Sequence, residues 1–505
     1  MLENSSLAKS TTLARLLTGL FYLFSLGLFA FFLLKPIQLT SQDLGRHLIN
    51  GQQFLQGYWQ VLSQNTYSYT QTHYHTVNHH WLSGVIFYLI YHHSNWQILH
   101  LSYILLMLLT LALLLKLMQQ QGSSYSTIIL AIPTVLLLSS RTEIRPEGFG
   151  YLFLTTTLLI LNRLWHKQTL SKLMIGYLLI QQVFWVNLHI SFIFGLILTG
   201  LVWLVDQFGR SPVLPTPLRR QVLALTAGLT LVSLLNPNGL TGLLQPLQIM
   251  ADYGYTIVEN QDLNFLLSWQ IQVKRIYLYF FMAGLSAALL TVFYKTVNHW
   301  QKSLVLIGIS MGWLALRNLP IFTILTMPFL SWALTKSYQQ LKKKVKVINS
   351  SASFWLLISS YYAFAIIMVL TGRFQSHVAL TTRYLGLQSA ELAGLAFWHH
   401  HQLQGPIFNN YDVGSYLIFG LFPSEKVFVD NRPEAYGAKF FQNIYIPMQQ
   451  NNQVWQQLLD QYQFQTIIWN YHDLTPWSQQ FLQKRLADPT WQLSYQDDYL
   501  LILTR

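Results

Sequence analysis

Eleven apolar runs, almost free of charge, dominate the chain and leave it few folds. They cover residues 13–34, 98–117, 125–139, 147–164, 172–187, 190–206, 221–235, 276–294, 302–316, 319–335 and 352–370. In hydrocarbon the backbone must satisfy its own hydrogen bonds, so runs of this kind predict membrane-spanning helices. Composition agrees: 10% of the 505 residues are charged, where a soluble protein carries about 25%. The aromatic share of 15% suits interfacial belts as well as cores. A net charge of +13 could suggest nucleic acid. Lys and Arg sit mostly in short loops between apolar runs, however, so the positive-inside rule accounts for them and no nucleic-acid partner is expected. Absence of cysteine excludes disulfides and Cys-ligated metals. The first run, from about Ala14 to Leu34, has full span length and no small-residue cleavage site after it, so it is expected to remain as the first span.

Several runs are shorter than the ~20 residues of a perpendicular span, as happens beside a water-filled cavity or a thinned bilayer. Trp81–Tyr91 is shorter still and decides the topology. The loop KSYQQLKKKVK at Lys336–Lys346 carries five lysines and is assigned to the cytoplasm. Arg163/Lys167/Lys172, Arg210/Arg219/Arg220 and Lys295/Lys302 fall on the same side if each run crosses once, as do Lys9 and Arg15. This closes only if Trp81–Tyr91 is interfacial or re-entrant. The expectation is eleven spans, N-terminus in and C-terminus out; a crossing Trp81–Tyr91 makes twelve.

On this topology one outer face collects the long loop 35–81, SSRTEIRPE at Ser139–Glu147, NLH at Asn187–His189, the NPNG loop after Leu235, and Arg317-Asn318. Arginines are disfavoured in outer loops, so Arg46, Arg141, Arg145 and Arg317 together suggest an anionic ligand. In SQDLGRHLING, Ser41–Gly51, a helix would place Asp43, Arg46, His47 and Asn50 on one face. Leu44, Leu48 and Leu55 would lie opposite, the pattern of an interfacial helix with its polar side toward water or substrate.

Asp43 could act as general base for an acceptor hydroxyl or amine, or hold a divalent cation bridging a phosphate. It could equally be a first-turn acid that stabilises a helix start. Arg141 and Arg145, one turn apart beside a helix start, can offer forked donors to a phosphate or pyrophosphate. They could instead pair with Glu143 and Glu147, or one could pair while the other stays free. His73, His75, His79 and His80 precede Trp81, and His189 lies in another outer loop. H-x-H and H-H pairs can ligate zinc, yet no HExxH or companion carboxylate set appears, so no metal ligands are assigned. These histidines are read as hydrogen-bonding water or sugar hydroxyls. Asn187 and His189, between two apolar runs, should line a polar cavity or cap helix ends, away from lipid.

The portion 371–505 has no span-length run and alternates strands with helices, predicting a small α/β layer. Strands are expected at Pro406–Asn409, Lys426–Val429 and Thr466–Trp469, and helices at Gly414–Leu421, Val454–Tyr462 and Ser478–Ala487. Trp491–Tyr495 and Leu500–Thr504 should form a hairpin turning at Asp497-Asp498. Asp430, Arg432 and Glu434 read either as ligand-facing groups after a strand or as a closed salt-bridge network docking this portion on the membrane part. The chain thus divides into a multi-pass portion, 1–370, and an extracytoplasmic portion, 371–505. No Walker loop, GxGxxG, GxSxG or kinase motif is present.

DLGRHLINGQ, VNHHWLSGVIFYLIY, RTEIRPEGFGYLFL, WVNLHISFIFG, LNPNG and YDVGSYLIFGLFPSEKVFVDNRPEAY occur in order over nearly the whole chain. As a set they resemble the GT-C superfamily of polyprenyl-phosphate-sugar-dependent glycosyltransferases, which includes protein O-mannosyltransferases and aminoarabinose transferases, and in particular its bacterial multi-pass members without assigned substrates. The resemblance implies a polytopic α-helical membrane protein in a bacterial-type plasma membrane. It also implies inverting transfer of a sugar from a lipid phosphate to an extracytoplasmic acceptor, with Asp43 at the acidic position of the first outer loop. Arg141 and Arg145 would bind the donor phosphate, and Arg46, His47, His79, His80, Asn187 and His189 would line the substrate. Members often carry a second acid in that loop, where this chain has Leu44 and Gly45, and often an acid before the Trp, where it has His80. The alternative is a non-enzymatic carrier, flippase or assembly factor for lipid-linked saccharides, although no internal repeat of the transporter kind is found.

Overall fold

All eleven apolar runs are helical in the computed structural model, which describes residues 2–505 apart from 210–212, 250–252, 270–273, 345–350, 372–382 and 474. Arg210, Lys346 and the start of the C-terminal portion therefore lie outside the described residues. In chain order the helices are α1 (Leu2–Leu33), α2 (Leu44–Leu55), α3 (Trp81–His93), α4 (Trp96–Gln121), α5 (Ser124–Leu138) and α6 (Glu147–Lys167). Then come α7 (Lys172–Leu188), α8 (Ile193–Phe208), α9 (Thr216–Val232), α10 (Gly239–Gln248), α11 (Leu263–Ser268) and α12 (Lys274–Val292). Then follow α13 (His299–Leu314), α14 (Leu319–Lys344), α15 (Ser351–Leu370), α16 (Ala393–His400) and α17 (Gly414–Leu421), and after them further helices that include Asn452–Tyr462 and Pro476–Leu486. Local caps start several of them: Asn95 accepts from Ile98 N, Ser171 from Met174 N and Asn298 from Gln301 N. Among the described residues five helices, within 15–33, 96–121, 190–208, 274–292 and 316–342, are long and apolar enough to cross a membrane. At 13 residues α3 is well short of that length.

Helix α2 is clamped on two sides. A Cβ on Gly51 would fall 2.2 Å from the Gly84 carbonyl oxygen of α3, and one on Gly45 would fall 2.6 Å from the Ser415 oxygen of α17. Backbones meet directly at both points. The polar face of α2 therefore does not turn to water: Arg46, His47 and Asn50 are all buried. Leu44 and Leu48 are buried too, and the residue left outside is Leu55. This sets aside the water-facing alternative, because an amphipathic pattern says that two faces differ, not which one meets solvent. Gly51→Ala should force α2 and α3 apart at a cost of about 1–3 kcal/mol. A lowered unfolding temperature of the detergent-purified protein is the expected result; an unchanged one would mean the crossing is not close.

The C-terminal portion builds a four-stranded sheet in the order β1-β2-β4-β3: β1 (Ile407–Asn409), β2 (Thr466–Asn470), β3 (Gln492–Gln496) and β4 (Leu500–Thr504). β1 and β2 pair in parallel, and the other pairings are antiparallel. Side chains alternate between the two faces. Ile407, Ile468, Leu500 and Ile502 join the core shared with the membrane helices. Phe408, Ile467, Trp469, Leu501 and Leu503 join a second, aromatic core. β1, β2 and β4 are thus covered on both faces and largely apolar, whereas β3 is an exposed, mostly polar edge strand. Lys426–Val429 is not one of those strands. Val427 instead bridges to the first loop, donating to Tyr67 O at 3.0 Å and accepting from Tyr69 N at 3.3 Å.

Candidate functional site

Asp43 stands at the N-cap position of α2, yet its side chain caps nothing. Its backbone is helical (φ −76°, ψ −5°), which turns the carboxylate away from the first-turn amides. The carboxylate instead accepts a hydrogen bond from Asn431 Nδ2 and lies 3.6 Å from Arg145 Nη1. The helix-start role is thereby set aside. Arg46, one turn along, donates from Nε to the other end of the same amide, Asn431 Oδ1, at 3.5 Å, and from its backbone N to Ser415 Oγ at 2.9 Å.

Asn431 is held by its neighbours. Arg432 grips Asp430 with both Nε and Nη2, at 2.8 and 2.7 Å, and also donates to Asn65 Oδ1 at 2.9 Å. Tyr436 Oη donates to Asp430 Oδ2 at 2.9 Å. Burial alone would raise the Asp430 carboxyl, but the Arg432 charge and these bonds outweigh it and hold it below the usual range. The docking network is therefore Asp430–Arg432–Asn65. Glu434, expected in it, forms no ion pair among the described residues, and burial pushes its carboxyl up.

Arg141 and Arg145 sit in the turn between α5 and α6. Arg141 Nε pairs with Glu147 at 2.5 Å, and Arg145 Nη2 with Glu143 at 2.8 Å. Both also reach Glu259: Arg141 through Nη1, and Arg145 through Nη1 at 3.0 Å. Arg317 Nη2 approaches Glu147 at 3.5 Å, and Lys35 approaches Glu143 at 3.8 Å. Neither arginine is free: of the alternatives, pairing with Glu143 and Glu147 is the one the structure shows. Glu143 and Glu259 would be raised by burial, but the guanidiniums around them bring both below the normal range.

Four histidines from three segments converge. Ring centroids of His47 and His80 lie 5.5 Å apart, of His79 and His80 4.0 Å, and of His80 and His189 5.2 Å. Burial lowers His79 to about 4 and His189 to about 3, and holds His47 and His80 well below the usual value. They are neutral at physiological pH and add hydrogen-bonding capacity without charge. His189 Nδ1 meets Ser191 Oγ at 2.7 Å, while His47 Nδ1 and His80 Nε2 are buried with no hydrogen-bond partner. His73 stays outside this group, against Gln64. Asn187 accepts from Trp81 Nε1 at 2.8 Å and donates to Val183 O and Leu235 O. It ties α3, α7 and the end of α9 together, and lines a small cavity with Asn78 and His79.

Sequence reasoning missed Glu259, Asn431 and Asp412. Asp412, beside β1, is raised to about 7 by burial and then by the charges of Asp473, Asp43 and Glu259. Only 18 acids occur in 505 residues, so an acid such as Glu259 in a loop between apolar runs was itself a signal. Asn431 had none, because an uncharged amide acquires its importance only from what lies across from it.

No protein-family model and no curated protein matches the chain. Solved structures do. The archaeal oligosaccharyltransferase AglB from Archaeoglobus fulgidus, in complex with an inhibitory peptide and a dolichol-phosphate, superposes with a TM-score of 0.58 at 12% identity, over 89% of this chain and 69% of that one. The same enzyme in its apo form gives 0.56 at 12% identity over the same shares. ArnT from Cupriavidus metallidurans in the apo state gives 0.48 at 14% identity, over 97% and 98%. The likeness to AglB is one of fold.

Proposed function

We propose that the chain is a membrane glycosyltransferase moving a sugar from a polyprenyl-phosphate donor to an extracytoplasmic acceptor, a cell-envelope glycan, lipid or protein. The observation that carries this reading is convergence. Asp43 and Arg145, 102 positions apart in the chain, meet at 3.6 Å, and Arg141 shares Glu259 with Arg145. In the reaction, an acceptor oxygen attacks the anomeric carbon while the bond from that carbon to the phosphate oxygen breaks. The lipid phosphate leaves with the electron pair, and the acceptor proton passes to Asp43. Arg141 and Arg145 receive the phosphate as its charge grows. Arg46, His47, His79, His80, Asn187 and His189 line the sugar and acceptor side.

A divalent cation fits poorly here. Glu143, Glu147 and Glu259 are committed to arginines, and no three His, Asp or Glu side chains among the described residues are disposed to hold an ion. The step is therefore written without one. The proposed setting is a bacterial-type plasma membrane, with eleven spans, a cytoplasmic N-terminus and an extracytoplasmic portion 371–505. Deleting the gene from its host should leave one envelope glycan, lipid or protein lighter by a single sugar residue, with the lipid-phosphate sugar accumulating. Mass spectrometry of envelope extracts reads both. A non-enzymatic assembly role predicts instead that no single sugar mass is lost.

A further inference from the structure

The arginine cradle assigned to an anion holds a carboxylate from a distant part of the chain. Glu259 sits in the 3-10 turn Val258–Asn260. Its two oxygens are shared between the guanidiniums of Arg141 and Arg145. Arg317 closes over the same turn, donating from Nη1 to Asn260 Oδ1 at 2.7 Å. Paired oxygens on one centre, received by two forked donors, are also how the two non-bridging oxygens of a phosphodiester are received.

Charge and connectivity single out Glu259 among the local acids. Lys35, Arg141, Arg145 and Arg317 stand against Asp43, Glu143, Glu147 and Glu259. The cluster is balanced, so removing one acid leaves a buried positive charge that calls for another anion. Glu147 is the buried first residue of α6, and Glu143 lies two positions from Arg145 in the same turn. Neither can leave without unwinding that junction. Glu259 belongs to the 3-10 turn just before α11, a separate segment that makes its own contacts before and after that turn. Tyr255 stacks on Tyr411 at 4.4 Å before it, and Leu263 and Leu266 are fully buried after it.

We propose that Glu259 is an internal placeholder for the donor's phosphate: the lipid phosphate displaces it from Arg141 and Arg145, and the turn Val258–Asn260 swings outward to admit it. The exchange is anion for anion, with no proton or covalent bond changing hands. This rests on the transferase reading above and adds how the donor gains access.

The test uses the full-length protein in detergent, with farnesyl phosphate and inorganic phosphate as probes, for the wild type and Glu259→Gln. Farnesyl phosphate should bind Glu259→Gln at least about tenfold more tightly, because the competing state is removed. Inorganic phosphate should bind both proteins more weakly than the lipid phosphate; equal affinity would overturn the lipid assignment. In the wild type, farnesyl phosphate should raise amide hydrogen exchange across 253–262, a readout that stands even if the variant misfolds. Equal or weaker binding by a folded Glu259→Gln, or a fall in exchange, would make Glu259 part of the site rather than its placeholder. Failure of farnesyl phosphate to bind either protein would remove the transferase reading itself, and this inference with it.

Discussion

Asp43→Asn is expected to lower sugar transfer by about 10²–10⁴-fold, the usual contribution of a general base, while the protein still folds and inserts. The separation follows from geometry. The amide that replaces the carboxylate keeps an oxygen for Asn431 Nδ2, and Arg145 keeps Glu143 and Glu259. The helix start loses no capping hydrogen bond, since the Asp43 side chain does not cap α2. The one ion pair lost spans 3.6 Å at a partly exposed carboxylate, a contact worth at most about 1 kcal/mol. Envelope mass spectra, set beside thermal unfolding of the purified variant, separate the two effects. Normal glycan output from a folded Asp43→Asn would sink the transferase reading.

Asp430→Ala should produce the largest loss of stability, about 3–5 kcal/mol, because it strands a buried guanidinium. Asp430 is fully buried and Arg432 nearly so, and each supplies most of the other's hydrogen bonding. Removing both charges, as Asp430→Leu with Arg432→Met, should cost far less than the single change, since the uncompensated charge disappears with its partner. A double variant as unstable as the single one would show that the pair's worth lies elsewhere. The pair also sets a pH dependence. The folded-state value of Asp430 is depressed, so its stabilisation is present above the ordinary aspartate value and is lost as pH falls through the folded value. Acid unfolding should therefore be less steep in Asp430→Asn than in the wild type. Because Asn431 follows Asp430 directly, these variants should also disturb the amide that bridges Asp43 and Arg46.

Hydropathy was enough to locate the helices of the eleven apolar runs, though not α10, α11 or α16. Each apolar run became one, because a long uncharged segment has no other way to satisfy its backbone. Strand periodicity located β1, β2, β3 and β4 but misjudged Lys426–Val429, where a short β-rich stretch pairs with Tyr67–Tyr69 instead of entering the sheet. Local sequence carries propensity, and the choice of partner depends on what lies nearby in space.

The site divides the same way. The sequence by itself determined which groups stand out: arginines and histidines in loops between apolar runs, and a lone acid after the first run, are conspicuous in a chain so poor in charge. It could not determine their partners. Only the tertiary structure decided that the polar face of α2 is buried, that Asn431 bridges Asp43 and Arg46, and that Glu259 occupies the arginine cradle. The physical reason is that charge and helical period belong to neighbouring residues, whereas ion pairs and burial belong to segments hundreds of residues apart, brought together by packing.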